Sequence, residues 1–240
     1  MPMELLTHIA GALGLALDNR QLGQFEEYYR LLVSANERTN LTSVTAYEDV
    51  QRRHFGESLA VAAALYRTGA LRPGQAARTI DVGAGAGFPG LPIKIAHPAL
   101  RLTLLESAAK KTAFLEELAE RLALPDVAVI TDRAESAAHE SAHREAYDLA
   151  LARAVAPLPV LLELALPFLR LGGFLAAPKG SRTAQEVAAA APALQACGGR
   201  IFVAERLPDS PLTLVVVEKV APTPSTYPRR PGVPAKRPLR

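Results

Sequence analysis

The chain of 240 residues is predicted to fold as an α/β protein with a mostly parallel sheet, and three observations support this. From about residue 73 onward, strand-like apolar runs alternate with amphipathic helical patterns, as in successive βαβ units. The first of these strands runs directly into a glycine-rich turn. The last two apolar runs, 200–204 and 212–218, are separated by a short connection, so we expect an antiparallel hairpin at the end of the sheet.

The segment before the sheet, residues 1–72, is predicted to be helical. Its first clear helix has apolar positions at helical spacing: Leu22, Phe25, Tyr29 and Leu32. A second helical pattern runs from about 47 to 66. The polar run Asn40-Leu-Thr42 lies between the two patterns and is expected to cap the second helix. The turn Arg72-Pro-Gly74 ends the segment.

Residues 73–220 contain the alternating elements of the predicted sheet. Five strands are expected near 77–81, 101–105, 127–130, 147–151 and 173–177, and the hairpin brings the total to seven. Helices are expected near 90–96, 108–123, 158–170 and 183–196. Helices on both faces of a parallel sheet define a Rossmann-like architecture.

The last twenty residues, 221–240, differ in composition from the rest of the chain. They hold no acid and five basic residues, Arg229, Arg230, Lys236, Arg237 and Arg240, together with six prolines. The first 220 residues hold 22 basic and 24 acidic residues, so a slightly acidic body carries a basic tail although the net charge is +3. Proline density predicts an extended tail without helix. The expected parts are therefore 1–72, 73–220 and 221–240.

Composition excludes several classes of protein. Cys197 is the only cysteine, so an internal disulfide cannot form, which suits a reducing compartment. The amino terminus lacks a basic start followed by a long apolar run, and no stretch is long enough to cross a bilayer. A cytoplasmic protein is expected. None of the five histidines has metal-ligand spacing and no C-x-x-C occurs, so no metal is predicted.

The most informative stretch is the run DVGAGAGFPG at 81–90, which lies between the first strand and the first helix of the sheet. A strand, a glycine-rich turn and a helix N-terminus together form a nucleotide-type pocket. Gly83 and Gly85 lack a Cβ, so the backbone can turn sharply and approach a ligand closely. The spacing differs from the G-x-G-x-x-G of dinucleotide folds, and an acid, Asp81, precedes the first glycine by two residues.

Two acids indicate which nucleotide binds. Asp81 suits a cationic ligand better than a pyrophosphate. Glu106 ends the next predicted strand, where a carboxylate accepts hydrogen bonds from ribose hydroxyls. S-adenosylmethionine (SAM) carries an ammonium group and a sulfonium and has no phosphate, so the pattern favours SAM over NAD. An NAD-dependent dehydrogenase remains the alternative at this stage.

The run DVGAGAGFPGLPIKI resembles the cofactor loop of the GidB/RsmG family of bacterial ribosomal RNA methyltransferases. Further blocks agree in order along nearly the whole chain: Asn40-Leu-Thr42, His54-Phe55, Ser58-Leu59, Leu104-Leu-Glu-Ser107, Lys110-Lys111, Arg133-Ala-Glu135, Ala152-Arg-Ala-Val-Ala156, Leu171-Gly-Gly173, Lys179-Gly180 and Tyr227-Pro-Arg-Arg-Pro-Gly232. The family usually has Leu-Asp before the Ser-Leu pair, where this chain has Gly56-Glu57.

The resemblance implies a class I SAM-dependent methyltransferase that acts on N7 of a guanosine in the decoding region (530 loop) of 16S rRNA and releases S-adenosylhomocysteine. The substrate is expected within a small ribosomal subunit or its precursor, and the enzyme is expected to be a monomer. The predicted cofactor-binding residues are Asp81, Gly83, Gly85, Phe88, Glu106, Ser107, Ala108, Ala134, Glu135 and Arg153. The predicted RNA-binding residues are Lys179, Arg229 and Arg230.

The role of Arg153 is left between three interpretations. Its guanidinium suits the methionyl carboxylate of SAM, an RNA phosphate, or an internal ion pair with Asp81 or Glu106.

The predicted chemistry needs no catalytic side chain. Cys197 lies far along the chain from the glycine loop, so cytosine C5 methylation through a cysteine nucleophile is not expected. The Asn/Asp-Pro-Pro-aromatic motif of adenine amino methylation is replaced by Ala152-Arg-Ala-Val155. Guanine N7 has a lone pair and no proton, so positioning suffices. The alternatives are a methyltransferase of another RNA, a protein or a small molecule, and a non-catalytic RNA-binding or cell-division accessory protein.

Overall fold

The computed structural model describes residues 3–239, so Met1, Pro2 and the tail cation Arg240 lie outside it. Seven strands form one sheet in the order β3-β2-β1-β4-β5-β7-β6, and β7 runs in the opposite direction to the other six. The strands are β1 Arg78–Val82, β2 Arg101–Glu106, β3 Val127–Thr131, β4 Tyr147–Leu151, β5 Leu169–Lys179, β6 Gly199–Arg206 and β7 Thr213–Lys219. The predicted α/β fold with its terminal hairpin is confirmed.

The helices are α1 Glu4–Ala12, α2 Asn19–Thr39, α3 Tyr47–Asp49, α4 Glu57–Thr68, α5 Gly90–Ala96, α6 Ala109–Arg121, α7 Ala134–Ala137, α8 Leu158–Ala165, α9 Thr183–Ala188, α10 Ala191–Cys197 and α11 Val233–Lys236. A π-helical stretch, Val50–Gly56, joins α3 to α4, and a 3-10 turn, Leu166–Phe168, follows α8. The helix expected over 158–170 is too long, because β5 begins at Leu169. The helix expected over 183–196 is two helices, since Pro192 has no amide hydrogen to continue the first.

Helix α2 is the element that ties the amino-terminal segment to the sheet. It begins with a capping box between Asp18 and Gln21 and ends at Asn40, which adopts a left-handed conformation with φ 48°. Asn40 therefore ends this helix, and the expectation that the 40–42 run caps the following helix is wrong. Along α2, the Gln21 and Gln24 side chains donate hydrogen bonds to the carbonyls of Ile95 and Leu122, each at 2.7 Å.

Parallel pairing brings the functional strand ends to one edge of the sheet. Asp81 in β1 pairs in register with Leu104 of β2 and with Leu151 of β4. The residues that follow these strands, among them Glu106 and Arg153, consequently meet at the carboxyl edge, which is where ligands of open α/β sheets bind.

The basic tail folds back over the body. The guanidinium of Arg144 donates hydrogen bonds to four backbone carbonyls, three of them in the tail, at Thr223, Pro224 and Tyr227. The tail is not wholly extended as expected, because α11 forms one helical turn. Its proline, Pro234, lies in the first turn, where no amide hydrogen is required.

Within residues 3–239, no helix combines the length and the apolar composition that spanning a bilayer requires.

Two glycines with the same positive φ provide a test of the packing between the tail and the sheet. Gly198 and Gly74 both have φ near +76°, but a Cβ on Gly198 would lie 2.1 Å from the carbonyl oxygen of Ala221, whereas a Cβ on Gly74 meets open space. We expect Gly74→Ala to cost about 1 kcal/mol from backbone strain alone, and Gly198→Ala to cost about 3–5 kcal/mol because the backbone at Ala221 must move.

Urea unfolding of the two variants and the parent measures both effects. Equal destabilisation by the two substitutions would show that the tail is not packed against this turn.

Candidate functional site

The carboxylate of Asp81 joins the end of β1 to the start of α5. The residue is fully buried, and its Oδ2 accepts a hydrogen bond of 2.8 Å from the amide of Gly90. A Cβ on Gly90 would lie 2.6 Å from that oxygen, so the contact depends on glycine at this position. The other oxygen, Oδ1, is buried without a hydrogen-bond partner among the described residues.

The environment of Asp81 disfavours its charge. Burial raises the pKa of Asp81 to about 7, although the Gly90 amide and the positive charge of Arg153 act in the opposite direction. A buried carboxylate with an unpaired oxygen at a strand end is stabilised when a cationic or hydrogen-bonding ligand binds to it.

Glu106 holds the other side of the glycine loop. Its Oε2 accepts a hydrogen bond of 3.1 Å from the amide of Gly85, and its Oε1 accepts one of 3.0 Å from the amide of Ala108. The amides of Gly83 and Ala84 both donate to the carbonyl of Leu105. The loop that follows β1 is therefore fixed to the end of β2, and Gly83 is required because a Cβ there would lie 2.9 Å from Val155.

Two cavities flank Glu106 along this edge of the sheet. The rear cavity, about 200 Å³, is lined by residues after β2, β3 and β4 and by the tail, including Glu106, Ala134, Glu135, Val155 and Pro234. The front cavity, about 370 Å³, is lined by the glycine loop and by residues after β4, including Gly85, Phe88, Ser107, Lys111 and Arg153. Gly83, Glu106, Ser107 and Val155 line both cavities, so the two form one continuous space across β1 and β2.

All but two of the predicted cofactor residues line this space. Asp81 lies buried beneath the loop, and Ala108 contributes its amide to Glu106. The structure therefore brings together residues from the ends of four strands, as the motif positions predict.

Glu135 in the rear cavity is bound by the tail. Its Oε1 accepts hydrogen bonds from the amide of Gly232 at 2.8 Å and from the Arg133 guanidinium at 3.2 Å. Burial opposes the charge of this carboxylate, but these hydrogen bonds prevail and its pKa is lowered. Pro234 and Ala235 consequently form one wall of the rear cavity, a contribution that sequence spacing does not predict.

Arg153 lies at the front cavity within a polar chain that begins in the amino-terminal segment. Its Nη1 donates to the carbonyl of Arg53 at 3.0 Å and contacts Glu57 Oε2 at 3.4 Å, and its Nη2 lies 2.9 Å from His54 Nδ1. The internal partner is thus Glu57, not Asp81 or Glu106. Glu57 stands where the family usually has aspartate, and it also accepts a hydrogen bond from Ser210 at 2.9 Å.

His54 is held neutral. Burial lowers its pKa to about 4, and the charge of Arg153 acts in the same direction. Its ring stacks on Phe88 with centroids 4.4 Å apart, and Phe88 stacks in turn on Tyr28 at 5.3 Å. The hydroxyl of Tyr28 donates to the carbonyl of Ala86 at 2.6 Å. The amino-terminal helices therefore build one wall of the front cavity.

A wider groove of about 620 Å³ opens from the front cavity, and His54, Arg153 and Ala154 line both. This basic groove carries Arg52, Arg53 and Arg182, which are exposed and make no ion pair among the described residues. Sequence reasoning missed these three arginines because they come from separate elements, the π-helical stretch and the start of α9.

The predicted RNA-binding residues have different environments. Lys179 in the basic groove forms an ion pair of 2.8 Å with Glu186 and donates to the carbonyl of Ala156 at 2.6 Å. Arg229 forms a two-pronged ion pair with the fully buried Glu163, at 2.8 and 2.6 Å. Arg230 is exposed. The first two side chains thus hold parts of the fold together, and only Arg230 is open to a ligand.

The residues fit SAM. The unpaired Asp81 Oδ1 and the glycine loop, which has no room for a Cβ at Gly83, provide a cradle for a cationic ligand. Glu106 lines both cavities, as the expected ribose-binding carboxylate would. No group of three or more histidine, cysteine, aspartate or glutamate side chains within residues 3–239 is arranged to hold a metal ion.

Comparison with known proteins identifies close sequence relatives. Residues 21–207 match the GidB family, described as rRNA small subunit methyltransferase G. The ribosomal RNA small subunit methyltransferase G of Roseiflexus castenholzii is 48% identical over 240 residues, which cover 99% of this chain and 100% of the relative. The protein of the same name from Dehalococcoides mccartyi strain BAV1 is 44% identical over 241 residues, with the same coverage.

Solved structures share the fold at low identity. The cyclase SpnF is 17% identical with a TM-score of 0.55, covering 88% of this chain and 98% of the cyclase. A SAM-dependent methyltransferase from Aquifex aeolicus is 17% identical with a TM-score of 0.51, covering 67% of this chain and 89% of that protein. Because a cyclase and a methyltransferase share this architecture, the fold alone does not determine the reaction.

The raised pKa of Asp81 predicts how stability depends on pH. Between its usual pKa of 3.8 and its folded value of about 7, the folded protein keeps a proton that the unfolded chain has lost. Stability contributed by Asp81 is therefore fully present below about pH 4 and is lost as the pH rises through 7.

Asp81→Asn keeps an oxygen for the Gly90 amide but cannot ionise. Urea unfolding is expected to show variant and parent alike near pH 4 and the variant more stable by a few kcal/mol at pH 8. His54 and the other groups titrate in both proteins and cancel in the difference. A stability difference that does not change with pH would contradict the assignment.

Proposed function

The chain belongs to the GidB family of rRNA small subunit methyltransferases, and we propose that it transfers a methyl group from SAM to N7 of a guanosine in the 530 loop of 16S rRNA. The observation that carries the proposal is the continuity of the site. Eight of the ten predicted cofactor residues line one space, and this space shares His54, Arg153 and Ala154 with the basic groove.

The cofactor residues divide along this space by their chemistry. Ala134 and Glu135 line the rear cavity on the adenine side, and Glu106 is placed for the ribose hydroxyls. Gly83 and Gly85 are assigned to the methionyl part, with Asp81 buried beneath the loop and with Phe88 and Arg153 lining the front cavity. SAM supplies an electrophilic methyl group on a sulfonium, which is the one chemical function that the chain does not provide.

The protein's own contribution is positioning. Guanine N7 has an in-plane lone pair and carries no proton, so the chain needs neither a general base nor a nucleophile. His54, the histidine beside the front cavity, is neutral and already hydrogen-bonded through both ring nitrogens. We assign it to the orientation of Arg153 and its neighbours and not to proton transfer.

The RNA is proposed to enter through the basic groove. N7 faces the deep, narrow major groove of paired RNA, so the target base must be unpaired or extruded to reach the front cavity. Arg52, Arg53 and Arg182 surround the entrance with unpaired positive charge. Phosphates that flank an extruded base would neutralise these charges.

The remaining assignments follow from the substrate. We propose that the enzyme acts as a monomer on a small ribosomal subunit or its precursor in the cytoplasm. Residues 1–72 would form the wall against which the base binds, and residues 73–220 would form the SAM-binding domain. The tail, residues 221–240, would cover the rear cavity, where the adenine of SAM is proposed to bind.

Mass mapping of 16S rRNA tests the proposed reaction. Small subunits from a strain lacking the gene are expected to gain one 7-methylguanosine in the 530 loop when incubated with the protein and SAM. Gly83→Ala should abolish SAM binding in calorimetry and the methylation with it, because φ is +71° and the new Cβ would lie 2.9 Å from a methyl group of Val155, which lines both cavities.

Gly74→Ala, at an open turn with a similar positive φ, is the matched control and should retain both activities. Methylation of a different nucleotide, of a ribosomal protein, or of nothing despite SAM binding would refute the assignment.

The salt dependence of the reaction tests the basic groove. Single replacements of Arg52, Arg53 and Arg182 by alanine should raise KM for the subunit. A plot of log(kcat/KM) against log salt concentration has a negative slope. Each replacement should make this slope less negative, by about 0.7 for each RNA phosphate that the variant no longer neutralises. Calorimetric SAM affinity should not change.

Arg72→Ala and Arg101→Ala are the matched controls. Both side chains are exposed and lie at the opposite edge of the sheet, before β1 and at the start of β2. If these controls changed the slope as much as the groove variants, the groove would not be the RNA entrance.

A further inference from the structure

The hydrogen-bond directions around His54 follow from one fact, that a guanidinium only donates. Arg153 Nη2 lies 2.9 Å from His54 Nδ1, so Nδ1 accepts and the imidazole hydrogen resides on Nε2. Nε2 lies 2.8 Å from Thr42 Oγ1 and therefore donates to that oxygen. The low pKa of His54, about 4, keeps the ring neutral throughout the neutral range, and the Arg153 donor selects the tautomer.

The hydroxyl of Thr42 is thereby committed to donate. Its oxygen accepts from His54 Nε2 and also from the amide of Val44, at 3.0 Å, which occupies both lone pairs. The loop that carries it is held by a hydrogen bond of 2.8 Å from the Thr42 amide to Asn36 Oδ1. No acceptor for the hydroxyl hydrogen is found in the part of the chain that the structure describes.

Thr42 lies where a base would enter from the groove. It lines the front cavity together with Gly85, Phe88 and Arg153, and its partner His54 is one of the residues that this cavity shares with the basic groove. A donor at this junction faces the edge of whatever base is presented to the glycine loop.

The two purines differ at the position next to N7. Both carry an N7 lone pair of the same geometry, but guanine has the acceptor O6 beside it, whereas adenine has the donor N6 amino group. We propose that the Thr42 hydroxyl donates a hydrogen bond to O6 of the target guanine and thereby makes the enzyme select guanine over adenine. This inference rests on the proposed function, because it assigns a specificity residue to that same site.

The Thr42 hydroxyl is a neutral donor, which suits a hydrogen bond to a base oxygen better than binding of the cofactor carboxylate. The methionyl carboxylate is an anion, and the front cavity already offers it the guanidinium of Arg153. With adenine, the hydroxyl hydrogen would face amino hydrogens and stay unpaired, which is the kind of mismatch that discriminates strongly.

Three variants of the full-length enzyme test the contact. Thr42→Val removes the hydroxyl and keeps the shape, Thr42→Ser keeps the hydroxyl, and Ser43→Ala removes the neighbouring exposed hydroxyl as a control. On small subunits, kcat/KM should fall by about tenfold to a hundredfold in Thr42→Val and by less than about threefold in the other two. Calorimetric SAM affinity should stay within about twofold in all three.

A modified substrate separates a direct contact from structural damage. Small subunits are reassembled with 16S rRNA that carries 6-thioguanosine at the target position, because sulfur is a weaker acceptor than oxygen. The wild-type enzyme should lose about tenfold in kcat/KM on this substrate, whereas Thr42→Val should lose less than about twofold. A general distortion of the site would lower activity on both substrates by the same factor.

Two results would overturn the inference while leaving the proposed function intact. Equal sensitivity of wild type and Thr42→Val to 6-thioguanosine would show that the hydroxyl does not contact position 6. If Thr42→Val lost SAM affinity by the same factor as it lost kcat/KM, the hydroxyl would be a contact of the cofactor and not of the base. If the wild-type enzyme left N7 of unmodified subunits unmethylated, the proposed function itself would fail and the inference with it.

Discussion

The site depends on one buried contact, the hydrogen bond between the Asp81 carboxylate and the amide of Gly90. It fixes the end of β1 against the first turn of α5 and so determines the path of the glycine loop between them. The contact exists because Gly90 has no side chain, and a Cβ there would overlap the carboxylate. Burial makes the arrangement unfavourable for the charged form of Asp81, as its pKa of about 7 records. The fold thus keeps a destabilised carboxylate beneath the loop, and a cation bound above it would relieve that destabilisation.

The tail illustrates how charge is distributed across the chain. The excess of positive charge in 221–240 and the slight acidity of the body are complementary, since Arg229 pairs with the buried Glu163 and the Gly232 amide is bound by Glu135. Breaking the Arg229 pair would leave an uncompensated charge inside the protein, which is far more costly than loss of a surface ion pair. Part of the basic tail is therefore structural and cannot be counted as nucleic-acid affinity. Among the described residues, exposed cations without an ion pair remain in the tail, at Arg230, Lys236 and Arg237, and in the basic groove, at Arg52, Arg53 and Arg182.

What could be predicted from the sequence is local. The strand, loop and helix around 81–90 follow from residues that are neighbours in the chain, and the acid at Glu106 follows from the next strand end. The pairing of Arg153 with His54 and Glu57 spans about a hundred residues and has no periodicity that would reveal it. Similarly, composition predicted an extended tail, but hydrogen bonds from Arg144 and the permissive first-turn position of Pro234 allow it to fold back and form a helical turn. The helix boundary errors have the same origin, because tertiary contacts and prolines decide where a helix ends.

The edge of the sheet and the amino-terminal segment contribute different kinds of groups to the site. The sheet edge supplies backbone amides, glycines and two carboxylates, features that suit a cofactor. The amino-terminal segment supplies Tyr28 and His54, whose rings stack on Phe88, and the loop residue Thr42, which is hydrogen-bonded to His54. Because the base and not the cofactor must be distinguished from its competitors, substrate choice is expected to reside in the amino-terminal segment, which lies on the groove side of the front cavity. On this argument we propose that the amino-terminal segment acts as a specificity element beside the cofactor-binding edge of the sheet.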